Sequence, residues 1–487
     1  MNQRDWPRVG ALLAAAAIAC FTACGNGESS DGAWAAGKDL IFVSIDTLRA
    51  DRLPMYGADR DTAGDPEQLG SLAWLAQQGT VFDQCWAPSG KTVPSLATFW
   101  TGRFPLEHGA ISNKHWIQPG IELWSERLRD HGYRCFARLA NRSLTRPQNP
   151  SHGLARGFED YRIRFKAQEP LVAEELLNLA EAPISKGEKL MLWAHFMAPH
   201  QPYTPPTEYR HRYANTAGPE AENEHLYQLH RQPQSLTEKE KERLRALYDA
   251  EVYTAGLYVQ RLLSGLEAHY QKAGRGSLLE NAIVVFFSDH GEELGDRHGY
   301  FLHAKSLFSG VIQVPLIIAG AGWAQGSRQR QDLGLHRVLP MVLHGVEAQE
   351  TLQFAAWQSE FFSVRDQRWT LVHQPCREAR PNGPFEPPTD GAYPYLSVAL
   401  YDRLADPLEQ TDVAADYPQH TRRLLAALHQ WYLNLQPVPP GDRESILQGQ
   451  GWDPGTQGLN GHLQELGYPE EFKDDPCAPW EAGQWNP

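Results

Sequence analysis

The sequence contains no apolar run of 20 residues, no coiled-coil heptad pattern and no internal repeat. These absences argue against a permanent transmembrane helix, a long coiled coil and a solenoid. Basic residues are also in deficit, because 45 Lys and Arg oppose 59 Asp and Glu, giving a net charge of −14. This balance argues against a nucleic-acid partner and against electrostatic docking on anionic lipid. An anionic substrate would therefore need a local cationic site.

The N-terminal residues predict export. Residues 1–24 combine two early arginines with the short apolar run Gly10–Ala19, which is typical of a signal peptide. Their last four residues resemble a bacterial lipobox, with Phe in place of the usual Leu, so Cys24 is the predicted lipidation site. The polar residues 25–37 would form a flexible tether, which predicts a membrane-anchored lipoprotein of the bacterial cell envelope. Soluble secretion after cleavage near Ala23 is the alternative.

Cysteine is sparse, with six residues in the whole chain. Beyond the signal and Cys24, four remain, and they allow three pairings that the sequence cannot choose between. We favour disulfides Cys85–Cys135 and Cys376–Cys477, because each pair falls within one half of the predicted fold. Free buried thiols are the alternative.

Strand-like and helix-like segments alternate through most of the chain. The strands are apolar on both faces, as in a buried parallel sheet. The clearest strands are Asp39–Ile45, Tyr133–Ala137, Leu190–Phe196, Ala282–Phe287 and Val314–Ile318, and the helices are 121–130 and 237–267. This order predicts an α/β fold with a doubly wound, mostly parallel sheet over residues 38–350.

The remaining segments predict smaller units. A hairpin at Phe362–Val372 and an amphipathic helix at 418–434 predict a smaller α+β subdomain over residues 351–435, with a short antiparallel sheet. Residues 436–487 are interpreted as an irregular tail, and residues 205–240 as an insertion over the site or a solvated loop.

Polar residues lie at or just after the ends of several of the predicted strands. They are Asp46, Thr92, His195 with His200, and Asp289 with His290. Because the carboxyl ends of parallel strands meet at one edge of a sheet, these side chains are expected to share a cleft.

Thr92 begins the segment TVPSLATFWTG, which ends at Gly102. A strand, a turn and a helix would present its hydroxyl at a helix N-terminus, where backbone N–H groups favour an anionic ester. A hydroxyl is a poor nucleophile unless a base or a metal activates it. The alternative is that Thr92 only caps the helix.

These motifs together resemble the sulfatase family of the alkaline-phosphatase superfamily. The Thr92 segment is similar to the sulfatase signature Cys/Ser-x-Pro-Ser-Arg followed by Thr-Gly, although Thr92 replaces the Cys or Ser and Leu96 replaces the Arg. The other matching stretches, in the family's order, are Asp46–Asp51, His195–His200, Ser288–Glu292, Lys305 before Val314–Ile318, and Leu400–Gln410.

The resemblance implies a role for each matching residue. Asp46, Asp289, His290 and the oxygen of Thr92 would hold a divalent metal ion. His200 and Lys305 would bind the substrate's non-bridging oxygens or protonate the leaving group, and Thr92 would be the nucleophile. His195 is a further substrate-binding candidate, and Lys91 and His303 are candidates of lower rank. His195 could equally support the loop structurally, and Lys305 could be a solvated charge.

Two departures from the family pattern bear on the chemistry. Thr47 and His290 replace a carboxylate and an amide, which favours Mn or Zn, with Ca possible. Thr92 cannot become formylglycine, which favours phosphate mono- and diesters or phosphonates over sulfate esters. The alternatives are a sulfatase that works without formylglycine and a non-catalytic cell-surface protein that binds anionic ligands. His108, His298 and His303 leave open a second metal.

Overall fold

A computed structural model describes residues 37–147, 150–213, 226, 236–297, 301–303, 306–346, 350–357, 361–373, 398–438 and 441–442. The predicted signal peptide and nearly all of the tether, with Cys24, lie outside the described residues, as do Lys305, His298, Cys376 and Cys477.

The strands of the described chain follow in order. They are β1 Asp39–Ile45, β2 Gly79–Trp86, β3 His115–Trp116, β4 Arg134–Leu139, β5 Asp160–Ile163, β6 Leu190–Phe196, β7 Ala282–Ser288, β8 Glu293–Leu294, β9 Phe301–Leu302, β10 Gln313–Val314, β11 Leu316–Gly320, β12 Ser327–Gly334, β13 Gln353–Trp357, β14 Phe361–Arg365, β15 Trp369–His373, β16 Val398–Asp402 and β17 Gly441–Asp442.

The helices alternate with these strands. They are α1 Leu72–Gln78, α2 Thr92–Thr101, α3 Pro105–His108, α4 Trp124–Asp130, α5 Pro170–Lys186, α6 Thr207–Tyr213, α7 Glu238–Lys272, α8 Leu278–Asn281, α9 Ser309–Ile312, α10 Leu335–His344 and α11 Pro418–Asn434. Among the described residues, none of these helices combines the length and apolarity that a membrane span requires.

A nine-stranded sheet forms the centre of the larger unit, in the order β10-β2-β11-β7-β1-β6-β4-β5, with β12 beside β2. Strands β7, β1, β6, β4 and β5 run parallel to one another, whereas β11 runs antiparallel to both β7 and β2. Every residue of β1, β6 and β7 is buried, because helices cover both faces. The predicted α/β sheet, doubly wound and mostly parallel, is confirmed.

Two apolar clusters lie on opposite faces of this sheet. One packs α2 and α10 against the sheet, and the other packs α5 and α7. Side chains alternate between the faces, so Phe42 of β1 belongs to the first cluster and Val43 to the second. Helix α2 is buried from Thr92 through Trp100, which fixes its N-terminus near the sheet edge.

The C-terminal unit is a four-stranded antiparallel sheet, β13-β14-β15-β16. Helix α11 packs on it through Leu424 and Leu428. The predicted hairpin corresponds to β14 and β15, which pair antiparallel. A smaller C-terminal α+β subdomain is therefore confirmed.

Two predictions of irregular structure are wrong in part. The segment 205–240 includes α6, which packs on α7. The guanidinium of Arg212 on α6 lies 4.3 Å from the centre of the Tyr253 ring on α7. At the start of the tail, the Val438 N–H donates to the Leu106 carbonyl at 2.9 Å. Strand β17 then pairs antiparallel with β3, so the start of the tail is joined to the larger unit.

The predicted disulfide Cys85–Cys135 is also wrong. Cys85 lies on β2 and Cys135 on β4, and four strands separate these two in the sheet. At the usual strand spacing the two thiols are roughly 24 Å apart, beyond the roughly 7 Å of Cα separation that a disulfide tolerates. Both are free, buried thiols.

Candidate active site

The strand ends bring the predicted site residues together. Asp46 follows β1, Asp289 follows β7, and His195 is the penultimate residue of β6. Strand β2 is antiparallel to β11, which is antiparallel to β7, so β2 points the same way as β7. Thr92 therefore begins α2 at the same edge of the sheet as the other three.

Asp46, Asp289 and His290 form a buried cluster in which one ligand atom from each lies within 4.8 Å of the others. Asp46 Oδ1 and Asp289 Oδ2 are buried and have no hydrogen-bond partner among the described residues. His290 Nδ1 lies 3.0 Å from the Gly291 carbonyl oxygen, which leaves Nε2 directed at the two carboxylates. Two unpaired carboxylate oxygens and an imidazole nitrogen suit a divalent cation, and burying them without one would be costly.

Backbone contacts fix this cluster. Asp289 Oδ1 accepts the N–H of Thr47 at 3.2 Å and of His290 at 2.9 Å. The Ser288 hydroxyl lies 2.6 Å from the Ile45 carbonyl oxygen and accepts the N–H of Leu48. Thr47 has φ of 55°, a left-handed conformation that is uncommon for threonine. Hydrogen bonds thus join the loop after β1 to the end of β7.

Thr92 is the first residue of α2, and Lys91 is its N-cap. The interpretation of Thr92 as the helix cap is therefore wrong. Its Oγ1 lies 3.4 Å from Asp46 Oδ2 and 3.5 Å from His290 Nε2. The hydroxyl thus faces the carboxylate–imidazole cluster, at the end of the helix where backbone N–H groups are directed outward.

Asn141 is a site residue that the sequence reasoning missed. Its Nδ2 donates to Asp46 Oδ2 at 2.6 Å and lies 3.4 Å from Thr92 Oγ1. Its Oδ1 accepts the Ser143 N–H at 2.7 Å, which fixes the amide orientation. Asn141 lies two residues beyond β4, so the rule that located Asp46 and Asp289 could have found it.

His195 contacts protein with both ring nitrogens. Its Nε2 is 3.3 Å from Asp46 Oδ2, and its Nδ1 is 2.9 Å from the Ser44 hydroxyl. That hydroxyl accepts the Trp193 indole N–H at 3.0 Å. All four side chains are buried. This arrangement favours the structural alternative for His195 over substrate binding.

His303 lies beside His290, and His200 lies beside His303. The His303 ring centre is 4.5 Å from that of His290 and 5.2 Å from that of His200. Glu292, a second residue to which the sequence analysis gave no role, has its Oε1 3.0 Å from His303 Nδ1. His200 Nδ1 lies 2.9 Å from the Gln201 carbonyl oxygen.

Two further candidates are Lys91 and His108. Lys91 directly precedes Thr92 in the chain, and its ammonium lies 5.2 Å from the centre of the Trp357 ring. His108 is outside the cluster, because its Nε2 lies 3.1 Å from Thr98 Oγ1 and its Nδ1 accepts the Ala110 N–H. Burial lowers the pKa of His108 to about 3.

Burial perturbs the charged groups of the site. Burial opposes ionisation of Asp46, but the hydrogen bond from His195 and the surrounding histidines hold its pKa well below the usual range. Burial and the neighbouring charge of Asp46 raise the pKa of Asp289 to about 6. Burial lowers the pKa of His200 to about 4 and raises that of Glu292. A divalent cation would favour ionisation of both aspartates.

Comparison with known proteins identifies the family. The family model described as Sulfatase matches residues 38–344. The chain belongs to the sulfatase family. Sulfatase-family enzymes are metal-dependent hydrolases of ester bonds, and this chain is a sulfatase-family hydrolase.

Two distant relatives of this sulfatase-family chain match most of its length. Human arylsulfatase K is 22% identical, over 87% of this chain and 87% of its own length. The uncharacterised sulfatase YidJ of Escherichia coli is 22% identical over 78% of this chain and 83% of its own. The phosphonate monoester hydrolase of Agrobacterium radiobacter superposes with a TM-score of 0.59 at 18% identity, over 81% and 95% of the two chains. That superposition supports the fold.

Proposed function

We propose that this chain hydrolyses phosphate mono- and diesters or phosphonates, with Thr92 as the nucleophile. The supporting observation is the position of Thr92 Oγ1, within 3.5 Å of both Asp46 Oδ2 and His290 Nε2 at the N-terminus of α2. A buried hydroxyl in that position lies beside the residues that would hold a metal ion to activate it, with backbone N–H groups directed at its ester.

In the first step the Thr92 hydroxyl gives up its proton to water and Thr92 Oγ1 attacks phosphorus. The bond from phosphorus to the leaving oxygen breaks, and the leaving oxygen takes up a proton. Asn141 Nδ2, which contacts both Asp46 and Thr92, orients these two groups. His200 and Lys305 stabilise the negative charge on the non-bridging oxygens or protonate the leaving oxygen. An anionic substrate would raise the low pKa of His200. Water then cleaves the Thr92 ester and restores the hydroxyl.

A divalent cation held by Asp46, Asp289 and His290, with the Thr92 oxygen, would supply Lewis-acid stabilisation and lower the pKa of the hydroxyl. Mn or Zn is favoured over Ca, because the site offers two carboxylates and one imidazole and has Thr47 where a further carboxylate is usual.

The nucleophile supports phosphorus over sulfur as the reacting atom. A formylglycine releases sulfate by collapse of its hydrated aldehyde, and threonine has no such route. The similarity to a phosphonate monoester hydrolase is consistent with this substrate class.

The test compares wild type with Thr92→Ala and Thr92→Ser, using para-nitrophenyl phosphate, bis-para-nitrophenyl phosphate, a phosphonate monoester and a sulfate ester. Thr92→Ala should lose several orders of magnitude in turnover, and Thr92→Ser should keep part, because the attacking oxygen remains. Thr101→Ala, on the same helix with its hydroxyl bonded to the Ala97 carbonyl, is the control that should keep full activity.

Each alternative has its own outcome. Phosphate-ester hydrolysis by Thr92→Ala at the wild-type rate would remove Thr92 as nucleophile. Turnover of sulfate esters alone would indicate a sulfatase that works without formylglycine. Binding of anionic ligands without turnover would indicate a non-catalytic cell-surface protein.

We also propose export to the bacterial cell envelope with a lipid anchor on Cys24, from the lipobox-like residues and the polar tether that follows. Cys24→Ser should release the protein from the membrane fraction or block its maturation. A native N-terminus found by mass spectrometry to be unmodified and downstream of Cys24 would contradict the anchor.

A further inference from the structure

The segment Met197–Thr204 follows β6 and carries His200; we name it the His200 loop. It has no regular secondary structure beyond turns and one isolated bridge residue, yet every residue in it except Pro202 and Thr204 is buried. Its backbone polar groups therefore need partners from the surrounding protein. Three charged side chains outside the sequence motifs supply them: Lys166, Glu169 and Glu251.

Lys166 makes three contacts with its ammonium group. Its Nζ donates to the His200 carbonyl at 2.6 Å and to the Pro202 carbonyl at 2.8 Å. The third contact is with Glu251 Oε1, at 3.1 Å. One cation thus joins the backbone of His200 itself to a neighbouring stretch of the loop and to helix α7.

The two glutamates hold the loop on either side of that lysine. Glu169 Oε1 accepts the N–H groups of Met197 at 2.5 Å and Ala198 at 2.9 Å, at the start of the loop. Glu251 Oε1 accepts the Thr204 N–H at 2.9 Å, at its end. The loop is therefore fixed at its first two residues, at its centre and at its last residue.

These charged groups lie in a place where charge is costly. Glu169 and Glu251 are 3% and 2% exposed. A buried ion pair such as that of Lys166 with Glu251 is weak evidence for stability, so we interpret these contacts by the orientation that they give the loop. These contacts connect Lys166 to the imidazole. The ring contacts the Gln201 carbonyl through Nδ1, and Lys166 binds the carbonyls of the two neighbouring residues, His200 and Pro202.

We propose that Lys166, together with Glu169 and Glu251, is a positioning group that sets the orientation of the His200 imidazole toward the substrate. The inference rests on the proposed function, in which His200 stabilises charge on the substrate or protonates the leaving group. Lys166 acts through His200 and does not contact the substrate.

A double-mutant cycle tests this coupling. Lys166→Met is made in wild type and in His200→Ala, and kcat/KM is measured with bis-para-nitrophenyl phosphate. In wild type the loss should be about tenfold, and in the His200→Ala background it should fall below about twofold, because a residue acting through His200 has nothing left to position. A purely structural role would give equal losses in both backgrounds.

Two further variants separate positioning from misfolding. Lys166→Met leaves the buried Glu251 unpaired, so Lys166→Met with Glu251→Gln is measured in parallel, and rates are normalised to the folded fraction from near-UV circular dichroism. Lys272→Met is the matched control, because Lys272 forms an ion pair of 2.8 Å with Glu181 at an exposed site. It should change kcat/KM in neither background.

The outcomes distinguish the two proposals. Equal losses in both backgrounds, or no loss in either, overturn the positioning role and leave the proposed function intact. Wild-type rates in His200→Ala would show that His200 has no part in catalysis, which removes its proposed role and the present inference together. A loss confined to the background with His200 supports both.

Discussion

Replacing His195 with Phe should weaken binding of a divalent cation by about tenfold. The Nε2 of His195 contacts Asp46 Oδ2, while Asp46 Oδ1 has no hydrogen-bond partner among the described residues and faces Asp289 and His290. Holding Oδ2 would therefore keep Oδ1 directed at the other residues that would hold a cation, Asp289 and His290. Phe fills a similar volume and cannot donate.

The magnitude follows from the contact itself. A hydrogen bond to a charged group contributes roughly 1.5–3 kcal/mol. The His195 contact is 3.3 Å long, slightly beyond the usual range, and Asp46 Oδ2 keeps a 2.6 Å bond from Asn141. The low end of that range, about 1.5 kcal/mol, corresponds to about a tenfold change in affinity. Partners of metal-binding carboxylates commonly have effects of this size.

The assay is calorimetric titration of Mn²⁺ into the metal-free protein. His195→Gln should restore most of the affinity, because its amide N–H can replace Nε2–H. His108→Phe is the control, since that histidine is equally buried but contacts Thr98. Thermal unfolding of each variant shows whether the larger ring disturbs packing. Unchanged Mn²⁺ affinity in His195→Phe with a raised KM would refute the reasoning and favour His195 as a substrate-binding residue.

Two other predictions concern the metal and the pH dependence of stability. Asp289→Ala or His290→Ala should lose the bound metal while keeping the fold, and a full metal content by elemental analysis would remove them as ligands. Burial raises the pKa of Glu169 to about 7. Since the unfolded value is near 4.5, the folded state favours the neutral acid. The contribution of Glu169 to the free energy of unfolding is therefore complete below pH ~4.5. Up to ~3 kcal/mol of it is lost as the pH rises to ~7. Glu169→Gln should flatten urea-unfolding stability across that window, and an unchanged slope would contradict this.

Much of the fold could be predicted because its signals are local. Strands β1 and β6 were predicted with their observed bounds, since a strand buried on both faces is apolar along its whole length. Helix α11 was predicted from its amphipathic pattern. The direction of β11 could not be predicted in this way, because a short apolar strand looks the same in a parallel or an antiparallel position. The Cys85–Cys135 pairing failed for a related reason: closeness within one half of the sequence says nothing about strand order.

The sequence by itself determined the family, the α/β architecture and the residues that gather at the sheet edge: Asp46, Thr92, Asp289 and His290. It could do so because both the residue types and the ends of the strands are local features of the sequence. Only the tertiary structure decided how the neighbours of Asp46 act. Asn141, His195 and Ser44 are separated from one another by more than fifty positions in the chain, yet sheet pairing brings them to the same carboxylate or to its histidine. The same holds for Lys166, Glu169 and Glu251. Their contacts with the His200 loop depend on packing between helices and strands, and no sequence motif indicates them.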